Sequence, residues 1–164
     1  MQRSEGFPPV ARSDARTLVL GSLPGRQSIM AQQYYAHPRN AFWKIMRDIY
    51  GIDGDYAERC SGLVDAGIAL WDVLQASVRP GSLDANINLD TAVPNDLGRF
   101  FRAHGSLEAI VFNGKKAESL FRRLDLREQV RALRVKPLPS TSPAYAALPY
   151  ESKLGLWRAA LPPV

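Results

Sequence analysis

Apolar positions along the chain fall into two alternating spacings. Short continuous runs at residues 17–20, 68–74, 109–112 and 133–138 are rich in Val, Ile and Leu and read as buried strands, the first ending at Gly21. Between them the period lengthens. Phe42, Ile45, Met46, Ile49 and Tyr50 make one helical stripe, and Leu97, Phe100, Phe101 and His104 make a second, with Asn95 placed to cap its start after Pro94 and Gly105 placed to end it. A third stripe, Ala117, Leu120, Phe121 and Leu124, follows Asn113-Gly114, and a fourth, Tyr150, Leu154, Trp157 and Leu161, closes the chain.

Strands separated by helices need right-handed crossovers and so pair in parallel. The expected fold is a three-layer α/β/α sandwich around a central parallel four-stranded sheet. Its 164 residues, 46% apolar and 23% charged, suit a single domain over 1–164, with 1–14 as a loose basic arm. No run approaches the roughly 20 apolar residues of a spanning helix, and the first residues lack a signal-like apolar core, so a soluble, cytoplasmic protein is expected. One cysteine, Cys60, and two histidines leave too few soft ligands for zinc, so no metal and no cofactor is expected. A monomer is expected. Net charge is +5, carried by Arg far more than Lys, and the planar arginine fork suits phosphate oxygens, which makes a polyanion the first candidate partner.

In a parallel sheet, ligands bind beyond the carboxyl ends of the strands. The loop after the first strand opens Gly21-Ser22-Leu23-Pro24-Gly25-Arg26 and runs through Tyr34 and Tyr35 to Trp43, a stretch of roughly 20 residues before the first helix. Its glycines let backbone amides approach a bound group, but no Lys-Ser/Thr follows Gly25, which excludes a nucleotide P-loop. The loop after the last strand, Leu138-Pro139-Ser140-Thr141-Ser142-Pro143-Ala144-Tyr145, offers hydroxyls and amides between prolines, suited to a phosphodiester. Both loops leave the same sheet edge. Trp71 and Asp72, at the end of the second strand, are placed to line a shared pocket, and Asp84 is a weaker candidate. His37 is read as a loop-bracing residue and His104 as packing.

Tyr35-Ala36-His37-Pro38-Arg39-Asn40-Ala41-Phe42-Trp43-Lys44, after a Gly-x-x-Pro-Gly turn, resembles the uracil-DNA glycosylase superfamily near its mismatch-specific members. Together with GSLPG, GIALWDVL, RPGSLD and PSTSPA, it looks most like the hypoxanthine-DNA glycosylase branch. The mismatch-specific relatives carry an Asn where Leu23 stands and an Asn or His where Leu138 stands, so the resemblance implies that Asn40 becomes the catalytic amide. It further implies that the turn amides of Ser22 and Leu23, with Gly21, Pro24 and Gly25 around them, meet the base, and that Tyr35 stacks on it. On the same resemblance, Ser140, Thr141 and Ser142 compress phosphates while Ala144 and Tyr145 approach the vacated stack; by their charge, Arg26 and Arg39 are also expected to contact phosphates. The expected substrate is DNA containing deaminated bases, hypoxanthine favoured over uracil. Two rival readings stay open: a noncatalytic nucleic-acid-binding module on the same scaffold, and a small-molecule hydrolase with Ser22 as nucleophile and His37 or His104 as base.

Overall fold

The computed structural model describes residues 3–80, 83–145 and 147–164. Its strands are β1 (Arg3–Glu5), β2 (Thr17–Gly21), β3 (Ile68–Asp72), β4 (Leu74–Val78), β5 (Val93–Pro94), β6 (Ala109–Asn113) and β7 (Arg134–Leu138). Its helices are α1 (Arg26–Ala31), α2 (Phe42–Tyr50), α3 (Tyr56–Asp65), α4 (Leu97–Ala103), α5 (Lys115–Arg122) and α6 (Tyr150–Ala160).

Four strands form the expected parallel sheet, in the order β3-β2-β6-β7. The two inner strands, β2 and β6, are buried along their whole length, which is why their sequences are continuous apolar runs rather than alternating ones. Alternate residues feed opposite layers. Leu18, Leu20, Ile110 and Phe112 pack with α4 and α5, whereas Val19, Ile68, Leu70 and Val111 pack with α2, α3 and α6. Register decides what lies at the carboxyl edge: Gly21 pairs with Asp72 and Asn113 with Leu138. Those strand ends stand side by side.

Several expectations need correction. The segment read as a loose arm is ordered: β1 pairs antiparallel with β4, Val10 bridges to Leu70, and the Phe7 and Pro8 carbonyls accept from Trp71 Nε1 at 3.0 Å and Tyr34 Oη at 2.9 Å. Few apolar residues mark it, because main-chain pairing and borrowed donors hold it. The run at 68–74 is not one strand. It turns at Val73, and β4 joins β1 and β5 in a small antiparallel sheet. β7 is not buried: residues 134–137 are exposed on the sheet edge, where Lys136 and Pro137 discourage further pairing. Helix α4 is capped by Asp96, which accepts from Arg99 N at 3.0 Å, rather than by Asn95, and it ends on His104 rather than Gly105. Helices α1 and α3 lie where no stripe was read. α3 has one fully buried side chain, Leu63, and its start is fixed by a reciprocal capping box between Asp55 and Glu58.

Candidate active site

The turn after β2 is held from behind through its carbonyls. Gly21 O accepts from Val73 N at 2.8 Å and Ser22 O from Leu74 N at 3.1 Å. Buried Arg79, just past β4, donates Nη1 to the Leu23 carbonyl at 3.3 Å and Nη2 to the Pro24 carbonyl. The same Nη1 lies 3.3 Å from Asp84 Oδ1, which also accepts the Ser22 hydroxyl at 2.5 Å. Gly25 then opens α1. Thus Ser22, Leu23, Pro24 and Asp84 are tied together through Arg79, an organiser that the sequence reading left without a role. Gly81 and Ser82 of the same motif lie outside the described residues.

Gly21 must be glycine for reasons of space. A Cβ there would stand 2.5 Å from Asp72 Oδ1 and 3.1 Å from Tyr35 Oη. Asp72 is 4% exposed, and both its Oδ2 and Tyr35 Oη are buried without a hydrogen-bond partner. Asp72 Oδ1 and the unsatisfied Tyr35 Oη therefore converge over a missing side chain, with the unsatisfied Oδ2 on the same carboxyl, and an unsatisfied buried group demands explanation because each normally costs about 1–3 kcal/mol. Burial, reinforced by the Asp84 charge and opposed by Arg79, pushes the Asp72 carboxyl up to about 7, so near neutrality it exists in both protonation states. Burial and the Asp72 charge likewise drive the Tyr35 phenol above its ordinary range.

The long loop after β2 is ordered by α1 and by polar ties. Ala36 N donates to Ser28 Oγ at 3.1 Å, Trp43 Nε1 to the Tyr34 carbonyl at 2.8 Å, and the Tyr56 hydroxyl accepts from Tyr34 N at 3.0 Å. Tyr35 sits at φ +56° with its ring stacked on Phe42, centroids 4.4 Å apart. Asn40 accepts from Phe42 N through Oδ1 at 2.9 Å, so its amide group is fixed at the mouth of α2. His37 braces the same bend, accepting from Arg39 N at 3.1 Å.

The last loop is locked to this one. Thr141 N donates to Asn113 Oδ1 and Asn113 Nδ2 to Thr141 Oγ1, both at 2.9 Å, while the Thr141 carbonyl accepts from Ala41 N at 2.9 Å. Asn113 was not among the expected site residues, although a lone amide ending the apolar run Ala109-Ile110-Val111-Phe112 was the available signal. At Gly114, with φ +98°, a Cβ would meet Ser140 Cβ at 3.2 Å, so this glycine lets the turn after β6 close up against the last loop. Ser140 and Ser142 brace their own turn, accepting from Ser142 N at 3.1 Å and Ala144 N at 3.2 Å. Buried Lys153 ties the Tyr145 carbonyl to α6 at 3.1 Å, and burial lowers its proton affinity.

Other expected residues lie elsewhere. Trp71 packs on Phe100 of α4, centroids 5.4 Å apart, with its indole N–H on the Phe7 carbonyl. Leu23 and Leu138 are core side chains on opposite faces of the sheet. Arg26, Arg39, Ala144 and Tyr145 are exposed around the rim. His104 stacks on Phe100 at 3.9 Å, and neither histidine makes a hydrogen bond with Ser22, which removes the general base that a serine hydrolase needs.

Buried polar groups at the carboxyl edge, an amide fixed at the mouth of α2 and two hydroxyl- and amide-rich loops agree with the comparisons to known proteins. Residues 8–160 match the uracil DNA glycosylase superfamily. The chain belongs to that superfamily. It is 39% identical over 118 residues to a hypoxanthine DNA glycosylase of Methanosarcina barkeri, spanning 70% of this chain and 73% of that protein. A hypoxanthine DNA glycosylase of Methanosarcina acetivorans is 37% identical over 145 residues, spanning 85% and 86%. A solution structure from Methanosarcina acetivorans, proposed to be a uracil DNA glycosylase, superposes with a TM-score of 0.81 at 33% identity and covers 96% of each chain.

Proposed function

We propose that this DNA glycosylase hydrolyses the N-glycosidic bond of deaminated bases in DNA, hypoxanthine foremost, with no lyase step. The observation that carries this reading is the convergence of Asp72, Tyr35 and the turn at Gly21 on one buried, unsatisfied polar notch at the strand ends. A deaminated base carries a carbonyl where its parent carries an amine. Protonated Asp72 and the amides of Ser22 and Leu23 are donors suited to that carbonyl, whereas adenine would oppose a donor with a donor. An unpaired buried group there costs about 1–3 kcal/mol.

In the reaction, water adds at C1′, the bond to the base nitrogen breaks toward the base, and an abasic sugar and a free base result. Asn40 orients the water. A neutral amide cannot act as a strong base, so catalysis rests on good leaving groups and on dipoles aimed at developing charge. The base must first leave the duplex, at a cost of a few kcal/mol. Stacking against Tyr35 recovers about 1–3 kcal/mol of this. Ser140, Thr141, Ser142, Ala144 and Tyr145 form one bank of the DNA surface, and Arg26 and Arg39 the other. The protein acts as a monomer in the cytoplasm. Among the described residues, no helix is long and apolar enough to cross a membrane.

The test is a panel of duplex oligonucleotides, each with one deaminated base, followed by alkaline cleavage at abasic sites. Hypoxanthine excision at least equal to uracil excision, with adenine untouched, is expected. Binding without abasic-site formation would establish the noncatalytic module instead, and uracil removal without hypoxanthine removal would overturn the substrate preference.

A further inference from the structure

Arg79 is the one buried arginine among the described residues, 4% exposed, and its direct partners are the Leu23 and Pro24 carbonyls and Asp84. A guanidinium is costly to bury, so one that spends its donors on two carbonyls of a single turn constrains that turn strongly. The constraint has a direction. A trans peptide is planar, with its N–H opposed to the preceding C=O. The Gly21 and Ser22 carbonyls are drawn toward Val73 and Leu74 and the Pro24 carbonyl toward Arg79, so the amides of Ser22, Leu23 and Gly25 point the other way. The Leu23 carbonyl adds no opposing amide, because Pro24 follows it.

We propose that Arg79 is a positioning residue of the base-recognition turn: it draws the Leu23 and Pro24 carbonyls to the rear, so presents the Gly25 amide to the extracted base beside the Ser22 and Leu23 amides that Val73 and Leu74 set, and through Asp84 it anchors the Ser22 hydroxyl. This rests on the glycosylase reading above and assigns Arg79 no contact with substrate. Lysine cannot replace it, because an ammonium is a point charge without the fork that spans two carbonyls and a carboxylate. The residue also bears on Asp72, whose carboxyl faces Arg79, Asp84, Tyr35 and Tyr34; removing the one cation of that set leaves burial and the Asp84 charge, both of which disfavour the carboxylate.

Arg79→Lys and Arg79→Met are compared with wild type in single-turnover excision of hypoxanthine, duplex affinity, thermal melting and the backbone amide spectrum. Arg79→Lys, which keeps the buried charge, should fold cooperatively and lose excision by about 100-fold, the usual effect of misdirecting an amide donor. Its duplex affinity should stay within about threefold of wild type. The amide signals of Ser22, Leu23 and Gly25 should shift more than those of other strand ends. In Arg79→Met the midpoint of the pH–rate profile should move upward. Wild-type excision by Arg79→Lys with those three signals unmoved would overturn the proposal, as would activity falling in both variants only in step with the folded fraction. If wild type itself excises no base, the functional reading fails, and the amide shifts alone decide the role of Arg79.

Discussion

Replacing Asp72 with Asn isolates one buried proton. In the folded protein this carboxyl titrates near 7, against 3.8 for an unburied one. Between about pH 4 and pH 7 the folded state therefore holds a proton that the unfolded chain has released. Stability from this group is complete below pH 4, declines as pH rises through that window, and levels off above it. At about 1.4 kcal/mol per tenfold change in proton affinity, the decline amounts to about 4 kcal/mol. Asparagine imitates the protonated acid at every pH, so Asp72→Asn should lose none of this, and the difference between the two proteins cancels every other carboxylate. Urea unfolding at several pH values between 4.5 and 8 measures it. The variant should gain on wild type with rising pH, and its excision of hypoxanthine should hold at pH 8, where the wild-type rate falls because the donor has ionised. A wild-type minus variant difference constant to within about 0.5 kcal/mol over that range, well inside the expected decline, would refute the reasoning.

Three further outcomes follow from the geometry. Asn40→Ala should abolish most single-turnover excision, and because Oδ1 also accepts from Phe42 N, it should lower stability by about 1 kcal/mol in a urea melt, the usual net value of one hydrogen bond. Gly21→Ala should fill the notch: with Asp72 Oδ1 only 2.5 Å from the new methyl, excision should drop by at least about tenfold and stability by about 1–3 kcal/mol, read by the same two assays. Duplex affinity should fall steeply with salt, and Arg39→Ala should weaken binding to damaged and undamaged DNA alike while reducing the salt slope by about 1 in fluorescence titrations.

The sheet was legible because β2, β3 and β6 carry apolar runs that a two-sided core explains, and the loops that meet at its edge followed from the parallel topology. The ordered N-terminal segment was not legible, since its attachments are main-chain bonds and single donors lent by Trp71 and Tyr34 from more than 20 residues away. Helix α3 was missed because its apolar stripe is weak, although the Asp55–Glu58 spacing announced its start. At the site, Gly21, Asp72 and Tyr35 were named individually, but their convergence is a product of register and of a left-handed backbone at Tyr35, neither of which composition displays. Leu23 and Leu138 belong to the cores on opposite faces of the sheet, since side chains at the strand ends turn into whichever layer lies beneath them. Arg79 and Asn113 act by holding backbone, a role that residue type alone does not reveal.

The bond between the Thr141 carbonyl and Ala41 N joins chain segments a hundred residues apart, one bearing the hydroxyls proposed to meet phosphates and the other the amide at Asn40. A protein built this way cannot order one bank of its cleft and leave the other slack. On the proposed reading, gripping any stretch of sound duplex already stills the catalytic loop, so the entropy of assembling the machinery is lost during the search rather than at the lesion. What remains to separate a damaged site from a sound one is whether the DNA will release its base.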